Sequence, residues 1–112
     1  MENKISLSDF QKLDLKVGKI IKAEPHPNAD KLVVLTVDLG EGKNRTMVAG
    51  LKNHYKLDEL KGKKAVFVAN LKPTNLRGVE SNGMILAAVS DDEKDIVILA
   101  PEKDIKQGTK VR

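Results

Sequence analysis

The stretch Leu15-Lys16-Val17-Gly18-Lys19-Ile20-Ile21-Lys22-Ala23 decides how the chain folds. Apolar and charged residues alternate along it with a period near two, the signature of a strand that lays one face on a core. The alternation is imperfect, and Gly18 stands inside it. A glycine there predicts a bulge or sharp bend that lets a long strand curl around a barrel.

Upstream, Ser6-Leu7-Ser8-Asp9 has the Ser-x-x-Asp form of a capping box, with Phe10 and Leu13 following. This predicts a short helix with one edge on the core. Downstream, Pro25-His26-Pro27-Asn28-Ala29-Asp30 is a turn cluster closed by the positive charge of Lys31. Its prolines fix φ and remove donors, while Asn28 and Asp30 cap locally. A second strand is expected over Leu32 to Leu39, a hairpin turn at Glu41-Gly42-Lys43-Asn44, and a third strand over Arg45 to Ala49. One helical turn is expected at Leu57 to Leu60, then a strand from Lys64 to Ala69. A loop from Asn70 to Asn82 follows, then a buried strand from Gly83 to Val89. The acidic turn Asp91 to Asp95 leads into a last strand, Ile96 to Ala100, and Pro101 to Lys110 reads as a terminal extension. Short strands with turns between them and two brief helical signals give an all-β chain. The expected form is an OB-type, five-stranded barrel with a short N-terminal helix and a C-terminal extension, in one domain over residues 1–112.

With 112 residues, 40% of them hydrophobic, the chain can bury one core but hardly two. No stretch approaches the roughly 18 to 20 apolar residues of a membrane span, and Met1-Glu2-Asn3-Lys4 is not a basic-then-apolar leader. A cytoplasmic location without membrane partners is the expectation. The absence of cysteine excludes disulfides, thiolate nucleophiles and cysteine zinc sites. His26 and His54 stand outside any ligand pattern, Gly40 and Gly42 belong to a hairpin turn instead of a phosphate loop, and no serine has a nucleophile-elbow context. No catalytic residue, metal or cofactor is therefore expected. Asn44-Arg45-Thr46 matches a glycosylation acceptor that has no meaning without export.

The net charge of +4 permits an anionic partner without requiring one. Its distribution says more. Lys61, Lys63, Lys64, Lys72 and Arg77 lie in a run without Asp or Glu, whereas Asp91 to Asp104 is mostly acidic, so a polarised molecule is expected. The loop Asn70 to Met84 carries Lys72 and Arg77 among turn formers. Lys31, Lys72 and Arg77 would neutralise phosphates, and Asn70, Ser81 and Asn82 would meet backbone oxygens and 2′-hydroxyls. The competing reading makes Asn82-Gly83 a tight turn, Asn70 a cap, Met84 core and the cations simply solvated. Aromatic residues are scarce: Phe10 and Phe67 are assigned to the core, leaving Tyr55 at best for stacking. Folded RNA recognised by shape and backbone charge fits better than single strands, which need several exposed rings.

Five segments in order, Asp14-Leu15-Lys16-Val17-Gly18-Lys19-Ile20, His26-Pro27-Asn28-Ala29-Asp30-Lys31-Leu32, Val48-Ala49-Gly50-Leu51, Asn70-Leu71-Lys72-Pro73 and Gly78-Val79-Glu80-Ser81-Asn82-Gly83-Met84, resemble the motifs of the tRNA-binding domain family. That family includes the C-terminal domain of methionyl-tRNA synthetase and stand-alone structure-specific tRNA-binding proteins. The resemblance implies an OB-fold that meets tRNA by shape more than sequence, in aid of an aminoacyl-tRNA synthetase. It also implies a homodimer built outside the barrel core. It carries Asn70, Lys72, Ser81 and Met84 over as tRNA contacts. Thr74 and Asn75 stand where family members commonly have a further basic residue, which implies weaker charge there. The pattern around the first strand is also similar to the CsaA group, which implies a dimeric chaperone or peptide-binding protein as the alternative.

Overall fold

The computed structural model describes residues 3–112, so the leader reading at Met1 and Glu2 lies outside the described residues. Its ten strands are β1 (Leu15–Pro25), β2 (Val33–Asp38), β3 (Arg45–Ala49), β4 (Lys64–Val68), β5 (Thr74–Leu76), β6 (Val79–Ser81), β7 (Met84–Ile85), β8 (Ala87–Val89), β9 (Ile96–Ile98) and β10 (Lys110–Val111). Helix α1 (Leu7–Phe10) precedes them, and α2 (Leu57–Leu60) lies between β3 and β4. No helix among the described residues is long and apolar enough to cross a membrane.

The curl of β1 makes the barrel. Its first half, Leu15 to Lys19, pairs with β4, and its second half, Lys19 to Pro25, pairs with β2. The register shifts between Ile20 and Lys22, leaving Ile21 as the extra residue. Interior positions therefore run Gly18, Ile20 and then Ala23, an odd step, which is why the alternation in the sequence is imperfect. The bulge thus lies beyond Gly18, at Ile21. Gly18 instead makes room inside the barrel, since a Cβ there would stand 2.7 Å from Leu39 Cδ2 and from Phe67 Cδ1. The missing side chain is the space that Phe67, fully buried, occupies.

The strand order is β3-β2-β1-β4-β7, all antiparallel. The two ends of this path approach each other at Ser81 and Asn82. Asn82 N–H donates to Thr46 O at 2.8 Å, and Val48 N–H donates to Ser81 Oγ at 3.0 Å. The result is a nearly closed five-strand barrel around Ile20, Leu35, Met47, Leu60, Phe67 and their neighbours. Helix α2 seals one end with Leu60, its start fixed by Lys56 N–H donating to Glu59 Oε1 at 2.7 Å.

Four sequence expectations are corrected, and a fifth, the terminal extension, holds and is extended. Helix α1 has the expected cap, Asp9 N–H donating to Ser6 Oγ at 3.0 Å, but it buries nothing, and Leu7 is 71% exposed. Phe10 accordingly stands outside the core. The loop Asn70 to Asn82 contains the hairpin β5–β6, and the strand expected from Gly83 to Val89 breaks at Leu86. There Leu86 N–H reaches Val66 O while Leu86 O accepts from Leu99 N–H, and β8 turns away from β4 to pair with β9. The terminal extension returns as β10 along β1, with Gly108 N–H donating to Val17 O at 2.7 Å. This covers Leu15 and Val17, which are buried outside the barrel interior.

Candidate nucleic-acid interface

Hairpin β5–β6 turns through Arg77 at φ 58° and Gly78 at φ 98°. Two left-handed residues in a two-residue connection match the right-handed twist of the flanking strands. Glycine takes this conformation freely; arginine does so at a cost of about 1 kcal/mol or more, and the surroundings hold it there. Asn75 Oδ1 accepts from Gly78 N–H at 2.9 Å, Arg77 Nη2 donates to Asn28 O at 3.1 Å, and Asn28 Nδ2 donates to Arg77 O at 3.3 Å. Beneath them, His26 Nδ1 accepts from Asn28 N–H at 2.9 Å, so its Nε2–H is the donor to Leu76 O at 2.8 Å. His26, only 6% exposed, is a strut between the loop before β2 and the hairpin. It presents no free nitrogen for a metal or a proton transfer.

The structure distributes the expected contacts among three settings. Lys31, Lys72 and Arg77 are exposed, and no carboxylate pairs with any of them among the described residues. Arg77 and Lys31 lie at the His26 strut, the latter in the turn that Asn28 anchors. Lys72 and Met84 line one groove beside the hairpin. Asn70 is exposed but its amide is engaged, Oδ1 accepting from Asp14 N–H at 2.8 Å and Nδ2 donating to Lys12 O at 2.6 Å. Ser81 is 4% exposed; its hydroxyl accepts from Val48 N–H and donates to Gly83 O at 3.1 Å. Both side chains hold the loop in place. Asn82 is half-buried in an open cleft shared with Lys43, Arg45, Gly78 and Glu80.

Three features escaped the sequence reading. Lys43 lines that cleft, and the Lys52 backbone N–H donates to Lys31 O at 3.3 Å, which ties the segment after β3 to the turn that carries Lys31. Arg45 forks onto Glu41, Nε to Oε1 at 2.9 Å and Nη2 to Oε2 at 2.8 Å, and also reaches Ala69 O. It thereby fastens β3 to the base of the Asn70 loop. The spacing of Glu41 and Arg45 across a hairpin turn was the available signal. His26 and Asn28 gave none beyond their place in a turn.

The expected charge polarity also changes. Lys64 donates to Asp104 Oδ1 at 2.7 Å and to Ile105 O at 2.6 Å, so the acidic tail folds back on the basic run. The Lys64 ammonium beside Asp104 holds that carboxyl below its usual range. Lys63 lies over the Tyr55 ring at 5.8 Å, and the Tyr55 hydroxyl accepts from Ile98 N–H at 3.0 Å. Tyr55 is therefore a structural ring.

Comparison with known proteins agrees with this geometry. Residues 15–110 match the family described as "Putative tRNA binding domain". The chain is 56% identical over 108 residues to a methionine–tRNA ligase of Pyrococcus horikoshii and 54% identical to that of Nanoarchaeum equitans. Each alignment covers 96% of this chain and 14% of the relative, so the chain spans about one seventh of their length. Among solved structures, a MetRS-related protein from Pyrococcus horikoshii superposes over the whole of both chains with a TM-score of 0.91 at 38% identity. Chaperone CsaA from Bacillus anthracis superposes over 97% of this chain and 99% of its own with a TM-score of 0.87 at 29% identity. With nearly its whole length matched, the chain belongs to the tRNA-binding domain family.

Proposed function

We propose that this chain binds folded tRNA by shape and backbone charge, without a catalytic step of its own, and so raises the tRNA affinity of an aminoacyl-tRNA synthetase, methionyl above all. The observation that carries the reading is the set of exposed cations Lys31, Lys72 and Arg77, without carboxylate partners among the described residues, on loops fastened to a rigid barrel. Loops that are already fixed lose little conformational freedom on meeting phosphates. Asn82 contributes a polar contact from the cleft, and Met84 an apolar one from the groove. Asn70 and Ser81 act by positioning the loop that carries them. The family membership and the likeness to methionine–tRNA ligases support the choice of partner.

The protein works in the cytoplasm as a homodimer. Support for the dimer comes from an apolar groove of ≈ 330 Å³ between α1 and β10, where Leu7, Phe10, Leu13 and Val111 meet outside the barrel core. Isologous pairing of two such faces would bury surface that a monomer leaves wet. The likeness to CsaA supports a second reading, a chaperone that holds denatured chains. Lys72→Glu separates the two. It is expected to weaken binding of unrelated tRNAs by similar factors in a filter assay, while leaving light-scattering protection of a denatured substrate unchanged. Loss confined to one isoacceptor would reject backbone recognition, and protection without any tRNA binding would favour the chaperone.

A further inference from the structure

Resting on the tRNA-binding reading, we infer that the groove beside hairpin β5–β6 receives one unstacked nucleobase of the bound RNA. The groove is ≈ 220 Å³, smaller than the roughly 300 to 1,000 Å³ of sites for drug-sized ligands. Leu71, Thr74, Leu76, Ser81, Gly83 and Met84 line it together with Lys72, its one charged residue, and no carboxylate does. Leu71 and Met84 are each 42% exposed, in a loop otherwise rich in polar and turn-forming residues. An exposed apolar pair facing a shared groove differs from a scattered surface leucine.

The walls are held before any ligand arrives. Leu71 follows Asn70, whose amide is bonded to Asp14 and Lys12, and Met84 is paired with Val68 in the sheet. The floor is Gly83, at φ 122°, where a Cβ would come within 2.6 Å of Met47 Cε. Glycine lets this segment seat directly against Met47 of the barrel core, which fixes the groove from below. Fixed walls reduce the ordering cost of binding.

The occupant follows from charge and shape. A single cation beside a small apolar slot complements a single nucleotide, with its ring between the isobutyl of Leu71 and the thioether of Met84 and its phosphate on Lys72. Thioether sulfur makes favourable contact with aromatic rings. Neither large ring of the barrel competes for this role: Phe67 is fully buried, and Tyr55 is committed to Ile98. Every base offers a π-face, so such a site tolerates any base and is compatible with recognition by shape.

Met84→Gln tests this, because it keeps length and removes the thioether at a position whose backbone alone holds the sheet. Filter binding of bulk tRNA over a salt series is expected to show affinity reduced about three- to tenfold, with the wild-type salt slope intact. In the wild-type complex, the Met84 methyl resonance should move upfield under the ring current of the base, with the buried Met47 methyl as internal control. Wild-type affinity in M84Q, or a Met84 methyl that does not move, overturns the base site while leaving tRNA binding in place. Wild-type tRNA affinity in M84Q combined with lost protection of a denatured protein would assign the groove to peptide and also overturn it. Failure of the wild-type protein to bind tRNA at any salt would reject the underlying reading itself.

Discussion

Ser81→Ala separates a hydroxyl that holds the barrel from one that touches RNA. The hydroxyl is the acceptor for Val48 N–H at 3.0 Å and a donor to Gly83 O at 3.1 Å, in a residue 4% exposed. Removing it leaves a buried backbone amide at the closing seam without an acceptor, at a cost of about 1 to 3 kcal/mol. The apolar gain of a buried methyl is small beside that, so a loss of about 2 kcal/mol is expected. At roughly 4 °C per kcal/mol for a chain of this size, the thermal midpoint should fall by roughly 8 °C. Calorimetry gives the midpoint, and filter binding well below it gives tRNA affinity per folded molecule. The affinity should change little and the salt slope not at all. An unchanged midpoint would refute the claim that this hydroxyl closes the barrel, and lost affinity at an unchanged midpoint would make Ser81 a direct RNA contact after all.

If His26 holds Arg77 in place, His26→Ala and Arg77→Ala each weaken tRNA binding and the double variant is no worse than Arg77→Ala; additive losses would contradict the strut. Asp38 is held below the usual carboxylate range by Gly40 N–H at 2.8 Å, by the Gln107 amide at 3.1 Å and by the nearby charge of Lys19. A depressed carboxylate stabilises the fold above its unfolded value of about 3.9 and loses that contribution as pH falls through its folded value. The midpoint of Asp38→Asn should therefore depend less on pH in the acid limb than that of the wild type; parallel curves would refute this. Leu7→Glu should convert a dimer to a monomer in sedimentation equilibrium, and a variant that remains dimeric would place the interface elsewhere. Gly18→Val should abolish folding or lower the midpoint steeply, because its methyls have no space beside Phe67 and Leu39; a stable variant would contradict that packing.

The parts of the fold written in local patterns were legible. Arg45 to Ala49 and Leu57 to Leu60 fall where expected because a glycine turn, an apolar alternation and a single amphipathic turn each carry their own signal. Hairpin β5–β6 was missed because its turn is Arg77-Gly78, whereas the recognisable two-residue turns begin with asparagine, aspartate or glycine. Its left-handed arginine is made tolerable by Asn28, 49 positions away, and such long-range support leaves no local trace. The same holds for Asp104, whose partner Lys64 lies 40 positions away, so a charge run that looked solvated is partly neutralised. In the candidate site, the cations Lys31, Lys72 and Arg77 are exposed as their loop positions suggested. The orientation of Ser81 and Asn70 could not be read, because a hydroxyl or amide in a loop serves backbone or ligand equally well until its neighbours are placed.

Binding of bulk tRNA and of an unstructured single-stranded RNA of similar length, measured by filter retention over a salt series, tests the central claim most directly. Folded tRNA should be held more tightly, and its log affinity should fall with log salt at a slope of roughly −3 to −5, as for roughly four to six neutralised phosphates. Equal retention of both RNAs, retention of neither, or a complex indifferent to salt would contradict the account.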